Sequence, residues 1–203
     1  MNGSFDIILV GAGSVGAPAA YFLAQKGLSV AVFEAAASPG RGENRAAIGG
    51  IRATHSDPAK IALGQESLRI FSGWQETTGD DIEWRQSGYT FVAYEESDAQ
   101  MLQDLVEEQQ GFGLDIGWLP AKTIEELVPG IVAEGLRGGT HSPGDGTASP
   151  LRATSSFCRQ ATHLGAKFFF REPVRSIALN GDKVSGVQTE RGSYAAPIVI
   201  NCA

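Results

Sequence analysis

The sequence predicts an α/β fold on three observations. Phe5 to Val10, "FDIILV", is a run of strand length, suited to a parallel strand covered on both faces. A helical pattern over Ser14 to Lys26 and a second β-rich run, Leu28 to Phe33, follow at once. All three fit inside about 30 residues, the size of a right-handed βαβ unit. Between the first strand and the helix stand Gly11, Gly13 and Gly16, and the second strand closes on Glu34.

Each element has a local reason. In the first helix Val15, Ala19, Phe22 and Leu23 share one face, and Gly27 is placed as a C-terminal stop. Residues 35–57 are rich in Gly, Arg and Ala without a clean period, which predicts a long loop with one helical turn near Asn44 to Ile48. Asp57-Pro58 opens a helix running to Trp74: Asp57 can cap, Pro58 suits the first turn, and Ile61, Leu68, Phe71 and Trp74 line one side. Tyr89 to Tyr94 alternates as a strand. Ser97 to Phe112 is an amphipathic helix with Met101, Leu102, Leu105 and Val106 inward. Thr123 to Glu126 matches a capping box opening a short helix that ends near Pro129. A strand over Gly135 to His141 and a "PGDG" turn follow. Ser149-Pro150 starts a helix with Leu151, Phe157, Cys158, Ala161 and Leu164 on one face, stopped by Gly165. The remainder reads as four or five short strands, turned at Asn180-Gly181-Asp182 and Arg191-Gly192. The apolar run Ile198 to Ile200 has the composition of a central strand.

Composition excludes several classes. The net charge is −7 and the densest basic stretch, Arg41 to Arg52, contains Glu43, so no cluster is available for a nucleic-acid backbone. No segment approaches the about 20 apolar residues of a membrane helix, and no signal peptide precedes the first strand. Cys158 and Cys202 lie far apart without paired spacing, which predicts neither a disulfide framework nor a metal site. A cytoplasmic setting is the expectation.

The glycine triplet has a physical reading as a nucleotide grip. Gly11 allows the sharp strand-to-helix turn, Gly13 lets backbone touch a pyrophosphate, and Gly16 lets the helix pack against the sheet. Backbone N–H groups of Ser14 and Val15 at the helix start, with the positive end of its dipole, face phosphate oxygens. Glu34, flanked by Phe33 and Ala35, can accept two ribose hydroxyls. The pattern does not separate NAD from FAD.

Five stretches together narrow the field: "ILVGAGSVGAPAAYFLAQKG" with "VAVFE", "GRGENRAAIGGIRATHS", "EWRQSGYTFVA", "SPGDGTASPLRAT" and "GAKFFFREPVRSIALNGDKVSGVQTERGSYAAPIVINCA". Their order and spacing resemble the N-terminal half of the FAD-dependent oxidoreductases of the D-amino-acid oxidase type, in the branch of sarcosine oxidase β-subunits, glycine oxidases and proline dehydrogenases. The resemblance implies a Rossmann-like FAD/NAD(P)-binding domain with part of an α+β substrate domain. Residues 1–80 would carry the βαβ unit and flavin loop, 81–142 part of the substrate domain, and 143–203 a return to the first domain. It implies that Asn44, Arg45, Ala46 and Ala47 lie beside FAD, with Gly49 and Gly50 near the flavin ring. Arg41 or Arg45 can offset phosphate charge. Val174 would pair with adenine through its backbone, and the final strand, at Cys202 and Ala203, would run into a cofactor-touching turn.

The same resemblance implies oxidation of the C–N bond of a small amine or amino acid such as sarcosine, glycine or proline. The family's C-terminal half is not in this sequence, so a truncated or split chain is expected, associating with the missing part, another subunit or a second copy. The alternatives are an NAD-dependent dehydrogenase and a non-catalytic nucleotide-binding fragment. No catalytic acid or base emerges. His55 and Arg52 are candidates near the flavin, Arg52 for a substrate carboxylate; His163 reads as exposed. Trp84, Tyr89, Phe91 and Tyr94 read as packing of the substrate-domain sheet.

Overall fold

The computed structural model describes residues 3–203. In chain order the elements are β1 (Gly3–Ser4), β2 (Ile7–Val10), α1 (Gly16–Gln25), β3 (Val30–Glu34), β4 (Gly50–Ile51), α2 (Pro58–Ser72), α3 (Trp74–Thr78), β5 (Tyr89–Ala93), α4 (Glu96–Gly111), β6 (Gly117–Pro120), α5 (Ala121–Leu127), β7 (Gly138–Ser142), β8 (Gly146–Thr147), α6 (Pro150–His163), β9 (Lys167–Phe170), β10 (Val174–Asn180), β11 (Lys183–Thr189), β12 (Gly192–Ala195) and β13 (Ile198–Asn201). A 3-10 turn occupies Glu43–Ala46, where the sequence predicts a helical turn. Two compact units result: residues up to Ile48 with Ser149–Ala203, and Gly49–Ala148.

The first unit is built on a parallel sheet of order β13-β2-β3-β9. β2 and β3 occupy its middle, pairing Ile8 with Ala31 and Leu9 with Val32. That position explains the unbroken apolar runs: Ile8, Leu9 and Val30 to Phe33 are buried on both faces. α1 and α6 pack together, with Tyr21 edge-on to Phe157 at 5.7 Å. On the face carrying Ile8, Ala31 and Phe33 lies the β1-β12-β11-β10 sheet, with Val187, Tyr194 and Ala196 in the same core cluster. Phe169 of β9 stacks on Phe33 at 4.8 Å. Such aromatic pairs add about 0.5–1.5 kcal/mol beyond area burial.

Several expectations change here. α1 begins at Gly16 and buries Gly16, Ala17, Ala20, Tyr21 and Ala24, whereas Val15 and Phe22 are exposed. Small residues win that face because the helix approaches the sheet turn too closely for larger ones. α6 buries Phe157, Cys158 and Ala161, but Leu151 and Leu164 lie at its solvated ends. Ser149 caps it through the Arg152 N–H. The apolar strand β13 is an edge strand of this chain, with Ile198 and Ile200 exposed.

The second unit centres on the antiparallel sheet β5-β7-β6, against which α4 and α5 pack. β6 falls where no strand is expected. α5 starts directly after Pro120, so Thr123 lies inside the helix and no capping box forms. α4 buries Ala99, Val106 and Gln109, and Met101 is exposed. The helix expected to reach Trp74 stops at Ser72, and Trp74 opens the separate α3. Asp57 caps α2 as expected, accepting from the Lys60 N–H at 3.0 Å. The division near residues 48 and 148, rather than 80 and 142, follows from packing: Ala53 and Leu68 join Val106, Leu114 and Ile116 in one cluster.

Candidate functional site

The first unit holds a cavity of about 440 Å³ at the carboxyl ends of β2, β3 and β13. This is where ligands sit on open parallel sheets. Its floor is the turn from β2 into α1. Gly11 has φ +100°, and its N–H donates to the Phe33 carbonyl at 2.8 Å. The Val15 position at the start of α1 has no side-chain cap, and no acid occupies the first turn. The backbone donors and the dipole at that end are therefore not neutralised by a side chain.

Gly13 and Gly16 play different parts. A Cβ at Gly13 would meet no atom within 4 Å, and Gly13 lines the cavity. Absence of that side chain leaves open space above the helix start. A Cβ at Gly16 would lie 1.9 Å from the Gly11 carbonyl oxygen, so Gly16 is fixed by packing and does not line the cavity.

Glu34 closes the wall. Its Oε2 accepts the Ala12 N–H at 2.8 Å and its Oε1 accepts the Ala36 N–H at 2.7 Å. The carboxylate therefore ties the glycine turn to the loop after β3, and each oxygen keeps a second lone pair. Phe33, Ala35, Ser14, Val15, Arg41, Asn44, Val174, Cys202 and Ala203 line the same cavity. Cys202 is half-buried, and burial pushes its thiol pKa up. Asn44 also anchors its loop: Nδ2 donates to the Pro150 carbonyl at 3.0 Å and to Thr154 Oγ1 at 2.9 Å. Arg41 Nε donates to Ser38 Oγ. Arg45, Ala46 and Ala47 are exposed and off the cavity, whereas Glu43 and Asn44 at the start of the 3-10 turn line it. Gly49 and Gly50 belong to the second unit.

Two buried acids escape sequence reasoning. Glu172 is 2% exposed; its Oε1 accepts from Thr189 Oγ1 and Tyr194 Oη, both at 2.8 Å. Its backbone N–H donates to the Glu34 carbonyl at 3.0 Å, which fixes the approach to Pro173 and Val174. In the second unit Asp145 of the "PGDG" turn is fully buried, accepting from the Ala53 N–H at 3.0 Å and Thr54 Oγ1 at 2.7 Å. It clamps the loop that carries Arg52 and His55. Asp145→Ala leaves both donors unpaired in the interior, so urea denaturation should show a loss of about 3 kcal/mol, with Asp145→Asn losing less.

That loop borders a cavity of about 290 Å³. The Arg52 guanidinium lies over Tyr89 at 5.4 Å and Phe91 at 5.2 Å, and donates to the Thr54 carbonyl. Burial first, then the charges of Arg52 and Lys60, holds the His55 pKa below the usual imidazole value, against opposing Asp145 and Asp57. His141 is held between strands beside Thr90, and His163 is exposed on the last turn of α6. Among the described residues no group of three His, Cys, Asp or Glu could hold a metal ion, and no helix is long and apolar enough to cross a membrane.

The model of the DAO family, described as FAD dependent oxidoreductase, matches residues 6–203. The chain belongs to this family. It is 28% identical over 200 residues to the sarcosine oxidase subunit beta of an Arthrobacter species, covering 95% of this chain and 49% of that one. It is 29% identical over 208 residues to glycine oxidase of Geobacillus kaustophilus, covering 98% and 54%. Among solved structures, the L-proline dehydrogenase of P. horikoshii superposes with a TM-score of 0.94 at 27% identity, covering all of this chain and 54% of that one. The chain thus spans about half the length of these relatives. Membership in an FAD family sets aside the NAD-dependent dehydrogenase.

Proposed function

We propose that this chain is the FAD-binding portion of an oxidoreductase that oxidises the C–N bond of a small amine or amino acid. The observation that carries this reading is the cradle formed by Gly13 and Glu34: an uncapped helix start beneath open space, and a carboxylate beside it with free lone pairs. These residues fit an adenine dinucleotide. The N–H groups at the start of α1 would hold the diphosphate, Glu34 the ribose hydroxyls, and the backbone near Val174 the adenine. Arg41 would offset phosphate charge. FAD, when bound, supplies a hydride acceptor for the C–H beside the substrate nitrogen, giving an imine that water hydrolyses.

In the second unit Arg52 is the group suited to a substrate carboxylate. Its guanidinium carbon lies 5.4 Å from the Tyr89 ring centre and 5.2 Å from that of Phe91, so cation–π contact with two rings holds a planar, two-pronged donor in place. Sarcosine, glycine and proline are the substrate class, by the relatives named above. Association with further polypeptide, or with a second copy, is part of the proposal, since β13 exposes Ile198 and Ile200 at a sheet edge. Two free cysteines fit a reducing, cytoplasmic setting.

Flavin uptake tests the reading. The purified chain should quench the fluorescence of added FAD and retain visible flavin absorbance after gel filtration. Glu34→Gln keeps the side chain's shape but loses its charge-assisted bonds, so FAD affinity should fall about 10- to 100-fold. A chain that ignores FAD, or an E34Q variant with unchanged affinity, is incompatible with the proposal. Turnover of sarcosine, glycine or proline with an artificial electron acceptor then reports whether the chain acts alone.

A further inference from the structure

The chain leaves the parallel sheet at Phe170, the last residue of β9, and enters the antiparallel sheet at Val174, the first of β10. The turn between them is strained. Arg171 has φ +54°, a left-handed conformation that residues with a Cβ adopt at a cost. Its N–H donates to the Ala36 carbonyl at 2.9 Å, and the next N–H, of Glu172, donates to the Glu34 carbonyl at 3.0 Å. Pro173 has a fixed φ and no N–H, and together with Val174 it lines the 440 Å³ cavity. Backbone bonds thus anchor the turn to the end of β3 that carries Glu34.

The second anchor is the buried Glu172 side chain. Its Oε1 accepts from Thr189 Oγ1 and Tyr194 Oη, both at 2.8 Å, and the Arg191 guanidinium lies 3.5 Å from Oε2. These donors come from β11, from β12 and from the turn between the two. Each has a further tie to the cavity wall or to the strained turn. Thr189 stands opposite Val174 in the β10–β11 register. The Tyr194 ring packs 4.7 Å from that of Phe33, which lines the cavity. Arg191 also donates to the carbonyl of Arg171, at 3.3 Å. A buried carboxylate is costly unless donors surround it, and an apolar side chain would fill the same space without that cost. What the charge adds is direction: donors of one hairpin converge on a single residue and leave the turn one position.

We infer that Glu172 is a positioning residue for the adenine end of the cofactor. Glu172 does not itself line the cavity. By fixing the turn it sets the Val174 backbone where the base is read. The inference rests on the functional reading above in placing adenine at Val174. It goes further by assigning base selectivity to an acid buried behind the wall. Adenine accepts at N1 and donates from N6, whereas hypoxanthine carries N1–H and an O6 acceptor, so the two bases present reversed patterns to the same backbone. A correctly placed backbone favours adenine. A displaced one loses that preference and leaves the diphosphate contacts on α1 untouched.

Calorimetry on the 203-residue chain compares FAD with its deaminated analogue, flavin hypoxanthine dinucleotide. The wild type should bind FAD at least about tenfold tighter, the value of one satisfied hydrogen bond. Glu172→Ala should cut that preference to about twofold or less while affinity for the analogue stays within about threefold, because the α1 donors and Glu34 remain. Glu172→Gln, whose Oε1 can still accept from both hydroxyls, should restore part of the preference. A merely structural Glu172 would instead give E172A a lower thermal midpoint with the preference unchanged. That result overturns the inference, as does an equal loss for both dinucleotides, or an E172Q variant no more selective than E172A. If E172A does not fold, Arg191→Met decides. Arg191 is on an exposed turn, and loss of its bonds to Glu172 and Arg171 should lower the preference by about threefold. An R191M variant that keeps the full preference then overturns the inference. A wild type that binds both dinucleotides equally sinks the inference only, and one that binds neither sinks the flavin reading and the inference with it.

Discussion

Gly13→Leu should give a protein that folds normally and takes up no FAD. The first half of that expectation follows from open space: a Cβ at this position meets nothing within 4 Å. The backbone there is not in the left-handed region, so a side chain introduces no conformational strain. Replacing glycine also narrows the unfolded ensemble, which favours the folded state slightly. The thermal midpoint should therefore move by no more than a surface substitution moves it, about 0.5 kcal/mol in stability. The second half follows from where the new side chain goes. It projects into the cavity above the start of α1, between the uncapped backbone donors and Glu34. A leucine there occupies the diphosphate position and separates its oxygens from at least two N–H donors. Charge-assisted hydrogen bonds contribute about 1.5–3 kcal/mol each, so the affinity for FAD should fall by at least about 100-fold. Fluorescence titration against circular-dichroism melting separates the two effects. A G13L variant that binds FAD as the wild type does removes the nucleotide reading at its first step.

The residues of this cradle were legible in the sequence for a physical reason: the constraints are local. A strand that must turn within one residue into a helix demands glycine at a positive φ, as at Gly11, and glycine again where backbones nearly touch, as at Gly16. The continuous apolar runs of β2 and β3 follow from burial on both faces, again visible in a few residues. Asn44 lines the cavity, where only the family resemblance expects it, and its anchoring of the loop to the start of α6, which joins positions about a hundred residues apart, has no signal in the sequence. Asp145 and Glu172 were illegible altogether. A charged residue in a turn reads as solvated, and nothing near Asp145 in the chain announces that Ala53 and Thr54 bring it two donors. Nothing in the sequence of α4 says that Gln109 is buried with only half of its amide satisfied. The buried line of α1 failed for the opposite reason. Bulky apolar residues do not mark the buried line here: the closest approach selects Gly16, Ala17 and Ala20, and leaves Val15 and Phe22 exposed.

Gly16→Ala is the counterpart of the first prediction and should reverse its signature, with stability lost before binding. The added methyl lies 1.9 Å from the Gly11 carbonyl oxygen, 3.0 Å from its carbon and 3.3 Å from the Cys202 Cβ. The two nearest of these are backbone atoms, so no rotamer change relieves the clash. Gly11 cannot retreat: its N–H is tied to Phe33 at 2.8 Å, and its own Cβ direction already abuts the Cys202 carbonyl oxygen at 2.9 Å. Either α1 moves off the sheet or the turn opens, and each breaks contacts of fully buried Ala17 and Ala20. Overpacking by one methyl in a tolerant core costs about 1–3 kcal/mol, and this site is not tolerant. Ala gains about 1 kcal/mol over Gly in helix propensity, which offsets only part of it. A net loss of about 2 kcal/mol or more is expected, a large share of the about 5–15 kcal/mol that holds a domain folded. Urea denaturation should show a lower midpoint at unchanged slope, and whatever remains folded should bind FAD weakly because the turn that presents the donors is distorted. A G16A variant as stable as the wild type would show that helix and turn do not meet at this distance. Two glycines three residues apart then serve as controls for each other, one kept bare for the ligand and the other for the fold.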